Sequence, residues 1–121
     1  IKTNSYHGGT VDGVYLKNNK VLSVGEAVIK INTVYNHDDG NGGHIATIKN
    51  IEVKNLQSNG GKYGIEIDAD ARNPVQNIRI INSKLNGVKT PYKVSNIGSA
   101  TLKNVLINVS RVTSQYLLEQ N

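Results

Sequence analysis

The 121-residue chain has no cysteine, methionine, tryptophan or phenylalanine, and only two prolines. Without cysteine there can be neither a disulfide framework nor a thiolate metal site, although the redox compartment stays open. Without Phe, Trp or Met, any core must be built from Ile, Val and Leu, branched aliphatics that favour strands. No apolar run approaches the length of a membrane span or of a signal-peptide core. The length fits one modest domain rather than two. The first residue is Ile1 rather than methionine, so processing, cloning or truncation is expected.

What the chain does have is turn chemistry. Twelve glycines and seventeen asparagines supply tight turns and side-chain to backbone hydrogen bonds. The net charge of +5 and pI near 9.5 favour an acidic partner, whether nucleic acid, a membrane surface or an acidic polysaccharide. Nucleic acid calls for a basic run or stripe with aromatic platforms, whereas these lysines are spaced singly and the only aromatics are six tyrosines. Nucleic acid is therefore not expected, but the sign of the charge alone does not choose among the other acidic partners; the oligomeric state is open.

An internal repeat gives the fold. Gly13-Val14-Tyr15-Leu16-Lys17-Asn18, Asn50-Ile51-Glu52-Val53-Lys54-Asn55, Asn77-Ile78-Arg79-Ile80-Ile81-Asn82 and, more loosely, Asn104-Val105-Leu106-Ile107-Asn108 place aliphatics at alternate positions. A second family contains Ile1, Val28–Ile31, Gly64–Asp68 and Tyr92–Ser95. Both families step by about 27 residues, apart from one longer step between residues 31 and 51. That step marks an inserted loop, the polar Asn36–His44 segment. Fixed-period strands indicate a solenoid, here an all-β parallel β-helix of about four coils over residues 1–112, with 113–121 as a tail or cap. The alternation predicts stacking of Ile51, Ile78 and Val105 inside, and of Ile1 on Ile29. Lys2, Lys30, Glu66 and Lys93 should share one outer face. Asn18, Asn55 and Asn82 should form a structural ladder at the strand ends. The competing architecture is an antiparallel sandwich, whose hairpin would use Asn86-Gly87.

The opening Ile1-Lys2-Thr3-Asn4-Ser5 followed by Gly8-Gly9, the strand ending in Val34-Tyr35, the Asp39-Gly40 turn and the run Asn73-Pro74-Val75-Gln76-Asn77-Ile78 resemble the C-terminal coils of bacterial polygalacturonases, glycoside hydrolase family 28. The resemblance covers nearly all of residues 1–112. It implies a right-handed parallel β-helix, inverting hydrolysis of α-1,4 galacturonosyl linkages in pectin, an acidic polysaccharide as the partner with no membrane and no cofactor, and a secreted or periplasmic location. It also implies substrate-binding roles for Lys2, as the lysine of the family's Arg-Ile-Lys motif, and for Tyr35. The family's catalytic aspartate motifs precede that lysine, so this chain has no catalytic residue and is expected to be inactive alone, as part of a longer enzyme. A non-catalytic β-helix module that binds acidic glycans or forms a structural or adhesive surface is the alternative.

Two other groupings carry less. His37, Asp38, Asp39 and His44 could gather a hard cation, but their spacing matches no calcium loop, and a solvated turn explains them; no metal site is expected. Asp68 and Asp70, two apart at a strand end, could reach the roughly 6.5 to 9.5 Å separation of an inverting pair. The resemblance places the catalytic carboxylates elsewhere.

Overall fold

The computed structural model describes residues 1–3, 8–34 and 45–121. The branched aliphatics form strands β1 (Thr10–Lys17), β2 (Lys20–Val21), β3 (Ala27–Asn32), β4 (Thr47–Lys54), β5 (Gln57–Asp68), β6 (Gln76–Ser95), β7 (Ala100–Ile107) and β8 (Ser110–Arg111), followed by one helix, α1 (Ser114–Glu119). All eight strands belong to one curled sheet, and every pairing is parallel except β7 with β8. Parallel pairing between β4 and the first part of β6 excludes the sandwich.

The register shows how the chain stacks on itself. Val14 lies beside Ile51, Ile51 beside Ile78, Ile29 beside Ile65 and Ile65 beside Tyr92. These are the sequence-derived neighbours, and the longer step falls between β3 and β4 as the repeat requires. The last repeat differs. Ile78 pairs with Ala100, and Val105 pairs with Ser83 rather than stacking on Ile78. The reason lies in the preceding turn, where Val75 bridges to Ile97 while Ala69 N–H donates to Ser95 O. The excursion Asp70–Pro74 therefore has no counterpart in the final repeat, which is five residues shorter. The start is offset too, because Lys2 bridges to Asn32, so Ile1 does not sit on Ile29.

A common pattern explains the corners. Each strand sends two alternate residues inward, reaches an asparagine, and sends two more inward: Ile51, Val53, Asn55, Leu56, Ser58, then Ile78, Ile80, Asn82, Ser83, Leu85, then Ala100, Leu102, Asn104, Val105, Ile107. Asn18, Asn55, Asn82 and Asn104 all have φ between 50° and 56°. Asparagine tolerates this left-handed conformation better than other residues with a side chain, and it breaks the period-2 alternation so that both arms of the corner point apolar groups inward. The amides also bond along the stack, Asn55 Nδ2 to Asn18 Oδ1 at 2.9 Å and Asn104 Nδ2 to Asn82 Oδ1 at 3.1 Å. A second ladder joins Asn77, Asn50 and Asp12 through two 2.7 Å bonds. The next corner uses glycine: a Cβ on Gly87, at φ +67°, would lie 2.8 Å from Asn59 Oδ1.

The core is aliphatic, with Ile65, Ile80, Leu85, Val105 and Leu117 fully buried. Removing such side chains from water, at about 25 cal/mol per Å2 of apolar surface, is the main source of cohesion between repeats. Leu117 belongs to α1, which covers the β7 end of the core. Thr113 caps that helix by accepting a bond from Tyr116 N–H.

Candidate functional site

Two outward faces of the sheet bear on function. The first is formed by β3, the second half of β5 and the end of β6. On it Lys30, Glu66 and Lys93 lie side by side in register, and Asn32, Asp68 and Ser95 form the adjoining row. Period-2 alternation puts both rows on the same side, opposite Ile29, Ile31, Ile65 and Ile67. Lys2 joins the second row through its bridge to Asn32, and its side chain is exposed. The four residues predicted to share a face thus do so, although Lys2 stands beside Asn32 rather than Lys30. A recess of about 180 Å3 lies between Glu66, Asp68, Lys93 and Ser95. Tyr35, the other predicted binding residue, lies outside the described residues.

Charge on this face is mixed and internally paired. Lys30 Nζ bonds to Glu26 Oε2 at 2.6 Å and approaches Glu66 Oε2 at 3.4 Å. The hydrogen bond with Glu26 raises the Lys30 pKa, and the same bond lowers that of Glu26. Lys93 instead sits over the Tyr63 ring, 5.8 Å from its centroid.

Asp68 and Asp70 do not make an acid and base pair. Asp70 is gripped by Arg72 through bonds of 2.9 and 2.6 Å to the guanidinium, and it also accepts the Arg72 backbone N–H. The Arg72 side-chain bonds, with the backbone bond behind them, hold its carboxyl down to about 2. A carboxyl so acidic carries no proton to donate near neutrality. Asp68 meets Ser95 Oγ at 3.4 Å. Among the described residues no three His, Cys, Asp or Glu side chains cluster as a metal site. His37, Asp38, Asp39 and His44 lie outside the described residues.

The second face was not visible in the linear sequence. It is built by β2, Gln57–Asn59 of β5 and Lys84–Asn86 of β6, where Lys20, Gln57 and Lys84 lie in register and Asn59 pairs with Asn86. These residues, with Leu22, line a groove of about 500 Å3. On one flank Lys17 pairs in register with Lys54, and Lys103 lies beside Ile81 in the same row. On the other flank Lys62 and Lys89 line a smaller groove near Gly61 and Gly87. Single lysines far apart in the chain become neighbours only when the repeats stack. Aligning the sequence at the repeat period would have revealed them.

Searches against protein-family models and against curated proteins find no match to this chain, so its function has to be argued from its own residues.

Proposed function

We propose that the sheet closes as a right-handed parallel β-helix, and that this chain is the terminal part of a longer polygalacturonase-like glycoside hydrolase that cleaves α-1,4 galacturonosyl linkages with inversion. In this reading the chain supplies the distal wall of the substrate cleft, Lys2 and Tyr35 face the polymer, and the catalytic carboxylates lie outside it. The observation that carries the reading is the position of Lys2, exposed on the outer side of a parallel ladder and in the row that adjoins Lys30, Glu66 and Lys93. An ammonium there can bond to the carboxylate that each galacturonate ring bears, a charge-assisted contact of about 1.5 to 3 kcal/mol when well formed. Two further features support it. The strands repeat at offsets of 36 to 37, 27 and 22 residues, and an apolar recess at the β1 end invites another repeat.

The alternative reading is a module that binds acidic glycans without cutting them; the hold of Arg72 on Asp70 is equally compatible with both readings. Both readings predict that the isolated chain releases no reducing ends from polygalacturonate above a heat-treated control. Both also predict that the amides of residues 30–32, 66–68 and 93–95 respond more to de-esterified than to methyl-esterified galacturonan, a preference at this face that Lys2→Ala should largely erase and Lys54→Ala should leave nearly intact. Equal effects of the two substitutions would refute a specific role for Lys2. The parent gene separates the readings: an arginine directly before Ile1 and two upstream aspartate motifs are expected for the enzyme, and their absence leaves the module.

A further inference from the structure

Segments 17–22, 54–62, 81–89 and 103–111 contain Lys17, Lys20, Lys54, Lys62, Lys84, Lys89, Lys103 and Arg111, and not one Asp or Glu. More than half of the fourteen cations are therefore gathered around the β2 face, leaving six against all nine acids elsewhere. The pairing follows the same division. Lys30, Lys49, Arg72 and Arg79 form ion pairs with acidic residues, and none of the eight does so among the described residues. Lys17 even stands directly beside Lys54 in the sheet, an arrangement that like charges disfavour. Lys62 acts on Glu26 electrostatically, but a surface that gathers this much like charge with few internal counter-ions attracts an external one.

We infer that the groove lined by Lys20, Lys84, Gln57, Asn59, Asn86 and Leu22 is a binding site for a carboxylated polysaccharide lying along the stack, separate from the Lys2 face. Lys20 and Lys84 lie two rungs apart with Gln57 between them, so their backbone positions are separated by roughly 10 Å at the spacing of adjacent strands. The cationic rows run across the strands, which sets the direction of the polymer. Carboxamides both donate and accept hydrogen bonds, as sugar hydroxyls do, and three of them line this groove. Leu22, 79% exposed, offers an apolar surface to the C–H face of a ring. The groove has no aromatic residue, so nucleic-acid bases would find no stacking platform. Seven of the eight cations are lysines, point charges that suit successive single carboxylates rather than the forked recognition that arginine provides.

The experiment is a titration of the 15N-labelled chain with oligogalacturonate, neutral galactan and single-stranded DNA of matched charge, at low and moderate salt. Oligogalacturonate should shift the amides of residues 20–22, 57–59 and 84–86. Lys20→Gln with Lys84→Gln should weaken that binding about tenfold, equivalent to ~1.4 kcal/mol, whereas Lys2→Ala should leave these shifts in place. The spectrum of the double variant checks its folding, and both sites are exposed, so their loss should not disturb the core. Shifts confined to residues 2, 30–32, 66–68 and 93–95 would overturn this inference while supporting the Lys2 face. The reverse pattern would do the opposite, so the two proposals fail separately. Equal binding of the DNA would show a general polyanion surface, and equal binding of neutral galactan would remove the role of charge; either result overturns the inference.

Discussion

The two ends of the stack are built differently. At the β7 end every element serves closure. Asn108 and Val109 make a two-residue turn that reverses the chain into β8, and Val112 N–H donates to Val105 O at 2.9 Å. Side chains bond further backbone groups: Ser114 Oγ accepts from Leu102 N–H, Asn108 brackets both polar groups of Val88, and Asn121 does the same for Ile97. Leu117 seals the core, while Tyr116 meets Tyr92 edge-on at 5.7 Å. Burial, then the Tyr116 contact, pushes the Tyr92 hydroxyl up to about 12. At the β1 end, by contrast, β1 pairs only with β4 among the described residues. Val14, Leu16, Val21, Val28 and Ile31 line a recess of about 420 Å3, and Leu16 is 49% exposed. Unpaired strand edges and bare apolar side chains are costly in water and promote pairing with another strand. One end carries a hairpin and a helix over its core, and the other presents a strand edge that is paired on one side among the described residues.

Substitutions should reveal that asymmetry. Leu117→Ala should cost about 2 to 5 kcal/mol in denaturant melts, as expected for a buried leucine. Leu16→Ala, the matching truncation at the other end, should cost under about 1 kcal/mol. Equal losses would erase the distinction between the ends.

Between the ends, Asn55→Ala should cost about 2 kcal/mol, about half from forcing alanine into a left-handed conformation and half from the lost bond to Asn18. Asn55→Gly removes the bond but keeps the conformation, so it should be the milder change. If the glycine variant is as unstable as the alanine variant, the ladder's hydrogen bonds matter more than its backbone geometry.

The closed end also contains a flaw. Val109 has φ +62° in a turn whose two central residues both lie in the left-handed region, and it is 81% exposed. Turns of this kind favour Asn-Gly. Val109→Gly should therefore stabilise the chain by about 1 kcal/mol, read as a higher melting midpoint; a loss would mean that Val109 makes a contact worth more than its strain.

The smallest effect concerns pH. Because Asp70 has its carboxyl lowered from 3.8 to about 2, its pairing with Arg72 stabilises the fold fully above the unfolded value. That contribution disappears as pH falls towards 2. Arg72 is half exposed, so the term should be below about 1 kcal/mol. Asp70→Asn should flatten the pH dependence of stability in that window, and an unchanged profile would remove Asp70 from the acid response.

How much of this could be read beforehand depended on what the residues encode locally. The aliphatic composition gave the β class, and the spacing of Ile51 to Ile78 and of Ile65 to Tyr92 gave the period, because these residues occupy equivalent inward positions in adjacent rungs. The last repeat departs from the 27-residue period for a physical reason. Asn77-Ile78-Arg79-Ile80 and Asn104-Val105-Leu106-Ile107 share one pattern and both asparagines are left-handed, yet they stand at opposite ends of the same strand family. No local mark separates them, because Val75 stands two places before Asn77 just as Leu102 stands two places before Asn104. Lys2 could be placed on an outer face from alternation alone. The basic groove needs the repeat period as well, since nothing local to Lys20 or Lys84 shows that offsets of 37 and 27 residues bring them onto one face.

Residue-resolved amide hydrogen exchange tests the asymmetry of the stack most directly. Strand β6 is flanked on both sides, so its amides from Ile78 to Leu85 should exchange only through large openings, and β7 should be protected nearly as well beneath its hairpin and helix. In β1, alternate amides from Thr10 to Lys17 face away from β4 and should exchange orders of magnitude faster than their neighbours. Uniform protection of β1 at the level of β6 would contradict the account, because it would mean that the β1 edge is as fully paired as the interior of the stack.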